Sequence, residues 1–241
     1  MRSAIVAGLL GILPTQAFVA PFGVLNGAIA AEAGLDLLQA MALSGLVFAG
    51  ASQLSTIELL SAGAPAVVIL AAGLAINLRF TMYSAALAPW LRSAPAPWRI
   101  GAASVLVDNN FAVAVHWYRA HPSAAPRLRA AYFIAAGLLN WLVWITATWA
   151  GFALGATLPP EWKLEFAAPI AFLAMALPLL RGRPAWTAAA VATVGAALLK
   201  DLPYGIGLLI ASALGIGAAL LVDGARPGAD EPAPDPEMTH G

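Results

Sequence analysis

The chain has 241 residues, of which 61% are hydrophobic and 10% charged, with no formal net charge and no cysteine. Soluble domains carry about 25% charged residues, so this composition, with a mean hydropathy of +0.82, excludes a water-soluble globule. Lack of cysteine excludes disulfides, thiolate metal sites and a cysteine nucleophile, and balanced charge offers nothing to nucleic acid. The apolar runs are long, rich in Ala and Leu, and free of the period-2 alternation of a β-barrel. Helices then satisfy the backbone in lipid. The expected fold is all-α: a polytopic helical membrane protein with about 7–8 transmembrane segments. The 22 Gly and 18 Pro residues point to close packing and broken helices.

In chain order, residues 3–31 are apolar but interrupted by Pro14, Gln16, Pro21, Gly23 and Asn26. Arg2, this run and Ala17-Phe18-Val19-Ala20 have the layout of a secretory signal and its cleavage site. Hydrophobicity continues straight through that site, which favours a first transmembrane helix broken at Pro21-Phe22-Gly23. Span two covers residues 37–61 and carries Phe48-Ala49-Gly50-Ala51-Ser52-Gln53, then Glu58. After the turn Gly63-Ala64-Pro65, span three (residues 65–90) holds Asn77-Leu78-Arg79 with Tyr83 and Pro89. Span four, residues 100–118, contains Asp108-Asn109-Asn110, and residues 119–129 form the most basic loop.

Span five, residues 130–155, carries Asn140 and a cluster of Trp141, Trp144 and Trp149; span six covers residues 166–180. Two shorter segments follow at residues 185–199 and 203–222, divided by Lys200-Asp201. Residues 1–222 thus read as one transmembrane domain, and residues 223–241, with Pro and acidic residues, as a disordered cytoplasmic tail. With eight crossings, cytoplasmic termini place Arg2, Arg119, Arg127, Arg129, Arg181, Arg183 and Arg226 inside. Arg92, Arg99, Lys163 and Lys200 fall outside, a bias in the sense of the positive-inside rule. An internal echo links Gly23-x-x-x-Gly27-Ala28 and Leu35-Asp36-Leu37 with Gly151-x-x-x-Gly155-Ala156 and Leu164-Glu165-Phe166. Shared composition accounts for it more readily than a repeat, and the two copies run in the same direction.

Chemistry concentrates between residues 44 and 110. Arginine in an apolar run costs about 2.5–3.5 kcal/mol and is tolerated against protein or a water-filled cavity, so Arg79 needs a partner, and Asp108 is the first choice. Arg79 holds a carboxylate while Asp108 supports it or binds an amine, or the two form an ion pair that sets helix register; the residues leave both open. Asn77, Tyr83 and Asn109 flank this pair. An unwound turn at Gly50-Ala51-Ser52-Gln53 would expose N–H groups to a carboxylate; helix packing through small residues is the plainer reading. Pro21-Phe22-Gly23 invites the same two readings. Glu58 and Asp108 are the candidates for ion coupling, although Glu58 lies close enough to the turn at Ala64 to be interfacial. No catalytic residue stands out: Ser52 is followed two positions on by Leu54 rather than Gly, and His116 and His121 lie near or in the basic loop. Three histidines make a poor metal set, and no phosphate-cradling loop adjoins a lysine. Neither a metal nor a cofactor is expected.

On Pro21-Phe22-Gly23, the FAGASQ run, Asn77-Leu78-Arg79 with Tyr83, Leu87 and Pro89, and Asp108 with Phe111 and Ala112, the chain resembles the AzlC family, the large subunit of bacterial branched-chain amino-acid exporters. The resemblance covers most of the chain up to the tail. It implies efflux of small apolar amino acids across the bacterial cytoplasmic (inner) membrane by a multi-pass protein in the lipid bilayer, with a small AzlD-type membrane subunit. Phe80 stands where family members often carry His, and Glu58 has no counterpart in the family pattern; both departures bear on substrate and coupling ion. The two function classes are therefore an ion-coupled secondary transporter and an intramembrane enzyme or structural membrane subunit.

Overall fold

Arg2–Glu32 forms one helix, α1, even though Pro14 and Pro21 stand inside it. The computed structural model describes residues 1–155, 180, 182–200, 202 and 206–224. The expected break at Pro21-Phe22-Gly23 is absent: α1 runs through it. Both prolines are exposed, so the missing N–H groups and the rings face outward, while Phe22 and Gly23 are buried on the opposite side. There α1 lies against α8 (Pro126–Gly155), in the most extensive helix–helix contact of the first unit.

Glycine makes that contact possible. A Cβ on Gly27 would strike the Thr148 carbonyl, one on Gly151 the Val24 carbonyl, and one on Gly155 would come within 2.7 Å of Ala28 Cα. Backbone-to-backbone approach of this kind is how helices associate in lipid, where dispersion and not hydrophobicity drives packing. The Gly-x-x-x-Gly segments of the sequence echo therefore face each other; Ala156 and residues 164–166 of the echo lie outside the described residues. Contacts advance together along both helices, from Gly8 with Tyr132 to Gly155 with Ala28, so α1 and α8 run parallel.

Between them lie three helix pairs, each joined by a short interruption: α2 (Leu37–Val47) and α3 (Gly50–Ser61), α4 (Ala66–Asn77) and α5 (Arg79–Leu91), α6 (Ala96–Ser104) and α7 (Asp108–Ala120). Thr56 and Leu60 lie beside Leu35, Gln39 and Leu43, so α3 turns back along α2; Leu91, Ala102, Tyr118 and Ala130 share one core, so α7 turns back along α6. Of the three pairs α4–α5 is the crossing, and one is the odd number that parallel α1 and α8 require. The expected spans two and four are therefore hairpins that return to the side they enter from, and Arg92 and Arg99 fall on the same side as Arg119 and Arg129, not opposite them. A capping box opens α2, with the Asp36 carboxylate accepting from Gln39 N–H at 2.7 Å and the Gln39 side chain accepting from Asp36 N–H. Arg2–Glu32, Ala66–Leu91 and Pro126–Gly155 are each long and apolar enough to cross a membrane unaided. This is an all-helical membrane protein with broken helices, as its composition implied.

A core of Leu87, Leu91, Tyr118, Tyr132 and Phe133 packs where α5, α6, α7 and α8 meet. Beside this core Arg129 is buried, donates Nη2 to Pro122 O of the basic loop at 2.5 Å, and stands 4.9 Å over the Trp90 ring.

The chain divides into two compact units, Met1–Phe172 and Leu173–Gly241. In the second, α9 (Gly182–Leu198) and α10 (Ile206–Gly224) form an antiparallel hairpin, with Gly207 against Leu199 and Gly215 against Ala188 and Ala192. Span six, Lys163 and the tail from residue 225 lie outside the described residues.

Candidate functional site

The break between α2 and α3 begins at Phe48, whose φ of 44° makes it the described non-glycine residue in the left-handed region. That conformation costs an L-residue about 1–2 kcal/mol, here offset by burial of the Phe48 ring. Ala49 is extended and opens α3 without a side-chain cap, so the first N–H groups of α3, those of Gly50, Ala51 and Ser52, have no intrahelical partner. Phe22 and Trp144 close over this turn. Their rings lie 5.7 Å apart, and a Cβ on Gly50 would stand 2.5 Å from Phe22 Cε1 and 2.8 Å from Trp144 Cη2.

The second break is a single residue, Leu78, where Leu78 N–H bonds Ala75 O at 3.3 Å and Thr81 N–H bonds Leu78 O at 3.0 Å, each one residue tighter than α-helical spacing. The third is a linker of Val105, Leu106 and Val107 before α7, whose first residue is Asp108 and whose Val107 cap makes no side-chain bond. Asn110, fully buried, holds this linker by donating Nδ2 to Val105 O at 2.5 Å.

Side chains join the three breaks in sequence. Asn77 Nδ2 donates to Ser52 Oγ at 3.3 Å, tying the end of α4 to the start of α3. Two residues on, Arg79 Nη1 meets Asp108 Oδ2 at 2.7 Å, tying the start of α5 to the start of α7. The pairing read from the apolar context of Arg79 is thus present. Asp108 also sits where the partial positive charge of the α7 N-terminus favours a carboxylate, by about 0.3–1 kcal/mol. Phe80, Tyr83 and Phe111 form an aromatic wall: Arg79 Cζ is 5.3 Å from the Phe80 centroid, and Tyr83 stacks on Phe111 at 4.5 Å. Tyr83 also lies close to the Asp108 carboxylate.

The cluster is incompletely paired. Arg79 Nε, Asp108 Oδ1, Asn77 Oδ1 and both amide atoms of Gln53 are buried without a hydrogen-bond partner among the described residues. With the Arg79 and Asp108 side chains 24% and 39% exposed, the pair is reachable and not sealed in a core. A guanidinium with spare donors beside uncapped helix N-termini can receive a carboxylate, and a carboxylate with a spare oxygen can receive an ammonium.

Of the residues singled out from sequence, Ser52 is bonded to Asn77, Arg79 is paired with Asp108 beside Tyr83, and Phe22 and Gly50 meet at the first break. Gly23 packs on α8, where an added Cβ would stand 2.8 Å from Ala147 Cβ, and Pro21 is exposed. Ala51 and Asn109 are half-buried, and Glu58 is exposed toward the end of α3, apart from the ion pair. Sequence reasoning did not select Trp144 or Asn110 for the site. The signal for Asn110 was there, a third polar residue in an apolar run; Trp144 was indistinguishable from its neighbours Trp141 and Trp149. Among the described residues no group of His, Cys, Asp and Glu could hold a metal ion.

The family model of the AzlC protein matches residues 14–158, a stretch that contains all three breaks and every residue of the cluster. No curated protein and no solved structure matches the chain.

Proposed function

The chain belongs to the AzlC family, and from that premise we propose that it is a secondary exporter of branched-chain or similar apolar amino acids in the bacterial cytoplasmic membrane. The family is of membrane-transporter type and associated with branched-chain amino-acid transport. The observation that carries the finer reading is the Arg79–Asp108 pair, incompletely hydrogen-bonded where three interrupted helices meet. Broken helices near the membrane middle are how transporters present helix ends and freed backbone groups to a charged substrate. In this reading Arg79 takes the substrate carboxylate, Asp108 and Gln53 serve its ammonium group, and Phe80, Tyr83 and Phe111 wall the apolar side chain. Asp108, released from Arg79 when substrate arrives, is the group placed to exchange a coupling proton, with Glu58 the second candidate. The resemblance adds a small AzlD-type subunit; full export by the purified chain alone in liposomes would refute an obligatory one.

The test is leucine export measured in inverted vesicles at matched membrane expression. Arg79→Lys keeps the charge but loses the planar two-pronged geometry, and export should fall roughly tenfold or more, as loss of a charge-assisted bond implies. Near-normal export by Arg79→Gln with Asp108→Asn would mean that the pair only sets helix register, and would overturn the proposal.

A further inference from the structure

A second cleft, separate from the ion pair, combines apolar walls with a cationic rim. It lies between α5 and α6, encloses about 200 Å³, and is walled by Leu87, Ala88, Ala103, Leu106 and Phe133. Arg92 and Arg99 line it too, one on each side of the turn that joins the two helices. Both are exposed, and neither makes an ion pair or side-chain hydrogen bond among the described residues. No carboxylate lines the cleft.

Depth and charge select the occupant. The turn that ends the α4–α5 crossing sits at the bilayer surface, and Trp90 and Trp98 flank it, a residue type that settles at headgroup level. Two guanidinium groups without a protein anion call for an anion, and their planar forks match phosphate oxygens. The walls below them call for hydrocarbon, and Ala88 and Ala103 are exposed along the outside of the bundle. A zwitterionic amino acid brings no net charge to such a rim. We propose that this cleft binds an anionic glycerophospholipid, its phosphate held between Arg92 and Arg99 and an acyl chain lying along Ala88 and Ala103. The site is independent of the transport reading.

The experiment is native mass spectrometry of the intact chain in detergent micelles, titrated with phosphatidylglycerol or phosphatidylcholine. Phosphatidylglycerol should bind in preference, and R92Q/R99Q should weaken it roughly thirtyfold, the equivalent of about 1 kcal/mol per basic residue. Ala103→Trp keeps both charges but fills the cleft, and should abolish the adduct; it carries the test if the double variant does not fold. Arg79→Gln should leave lipid binding unchanged, which separates this site from the transport site. Equal binding of the two lipids, or unaltered phosphatidylglycerol binding by R92Q/R99Q or Ala103→Trp, would overturn the proposal. So would displacement of the lipid by leucine.

Discussion

A single methyl group on Gly50 probes whether the first helix break is closed by contact with α1 and α8. The added Cβ would stand 2.5 Å from Phe22 Cε1 and 2.8 Å from Trp144 Cη2, well inside the ~3.5–4.0 Å optimum for carbon atoms. Neither ring can swing clear easily: both residues are buried, and Phe22 also stacks on Phe18 at 5.8 Å. To restore contact distance the rings must withdraw by roughly 1 Å, and overpacking of this kind costs about 1–3 kcal/mol. Gly50→Ala should therefore lower stability by that amount, less a few tenths of a kcal/mol for the reduced freedom of the unfolded chain. Thermal and denaturant unfolding in micelles, followed by tryptophan fluorescence, would read the loss. Phe22→Leu removes the nearer ring, so the double variant should be more stable than the sum of the two single costs predicts, by about 0.5–3 kcal/mol. Wild-type stability for Gly50→Ala, or costs that simply add, would refute the argument that these rings close the break.

Glycines whose Cβ would meet backbone should tolerate even alanine poorly: Gly27→Ala and Gly151→Ala must push α1 and α8 apart, costing about 1–3 kcal/mol or more. Gly217→Ala, which meets open space, should be neutral or stabilising by up to about 1 kcal/mol; the same unfolding assay orders the three. Asn110→Ala leaves Val105 O buried without its donor, so it should cost about 1–3 kcal/mol and depress leucine export by loosening the linker that sets Asp108. Arg129→Gln loses both the bond to Pro122 O and the Trp90 stack, and should lower stability by about 2–3 kcal/mol while the affinity for leucine in binding assays stays unchanged.

The helical membrane class was determined by sequence alone, because the cost of placing residues in lipid is local and adds along a run. Arg79 and Asp108 could be picked out for the same reason: a charge in an apolar stretch demands a partner wherever the chain leads next. The turn at Phe48–Gly50 was legible only as a possibility, since Gly and Ala serve a helix interface as well as a break. Pro21 shows the converse. Its chemistry argues for interruption, yet α1 continues, because the proline faces outward and α8 clamps the other side through Phe22, Gly23 and Gly27. Only the tertiary structure could decide that, along with the parallel seating of the two Gly-x-x-x-Gly segments, the turning back of α3 along α2 and of α7 along α6, and the choice of Asn110 to hold the linker. Each depends on which side of a helix meets which neighbour. A run of apolar residues that lipid and protein solvate almost equally carries no amphipathic pattern to disclose it.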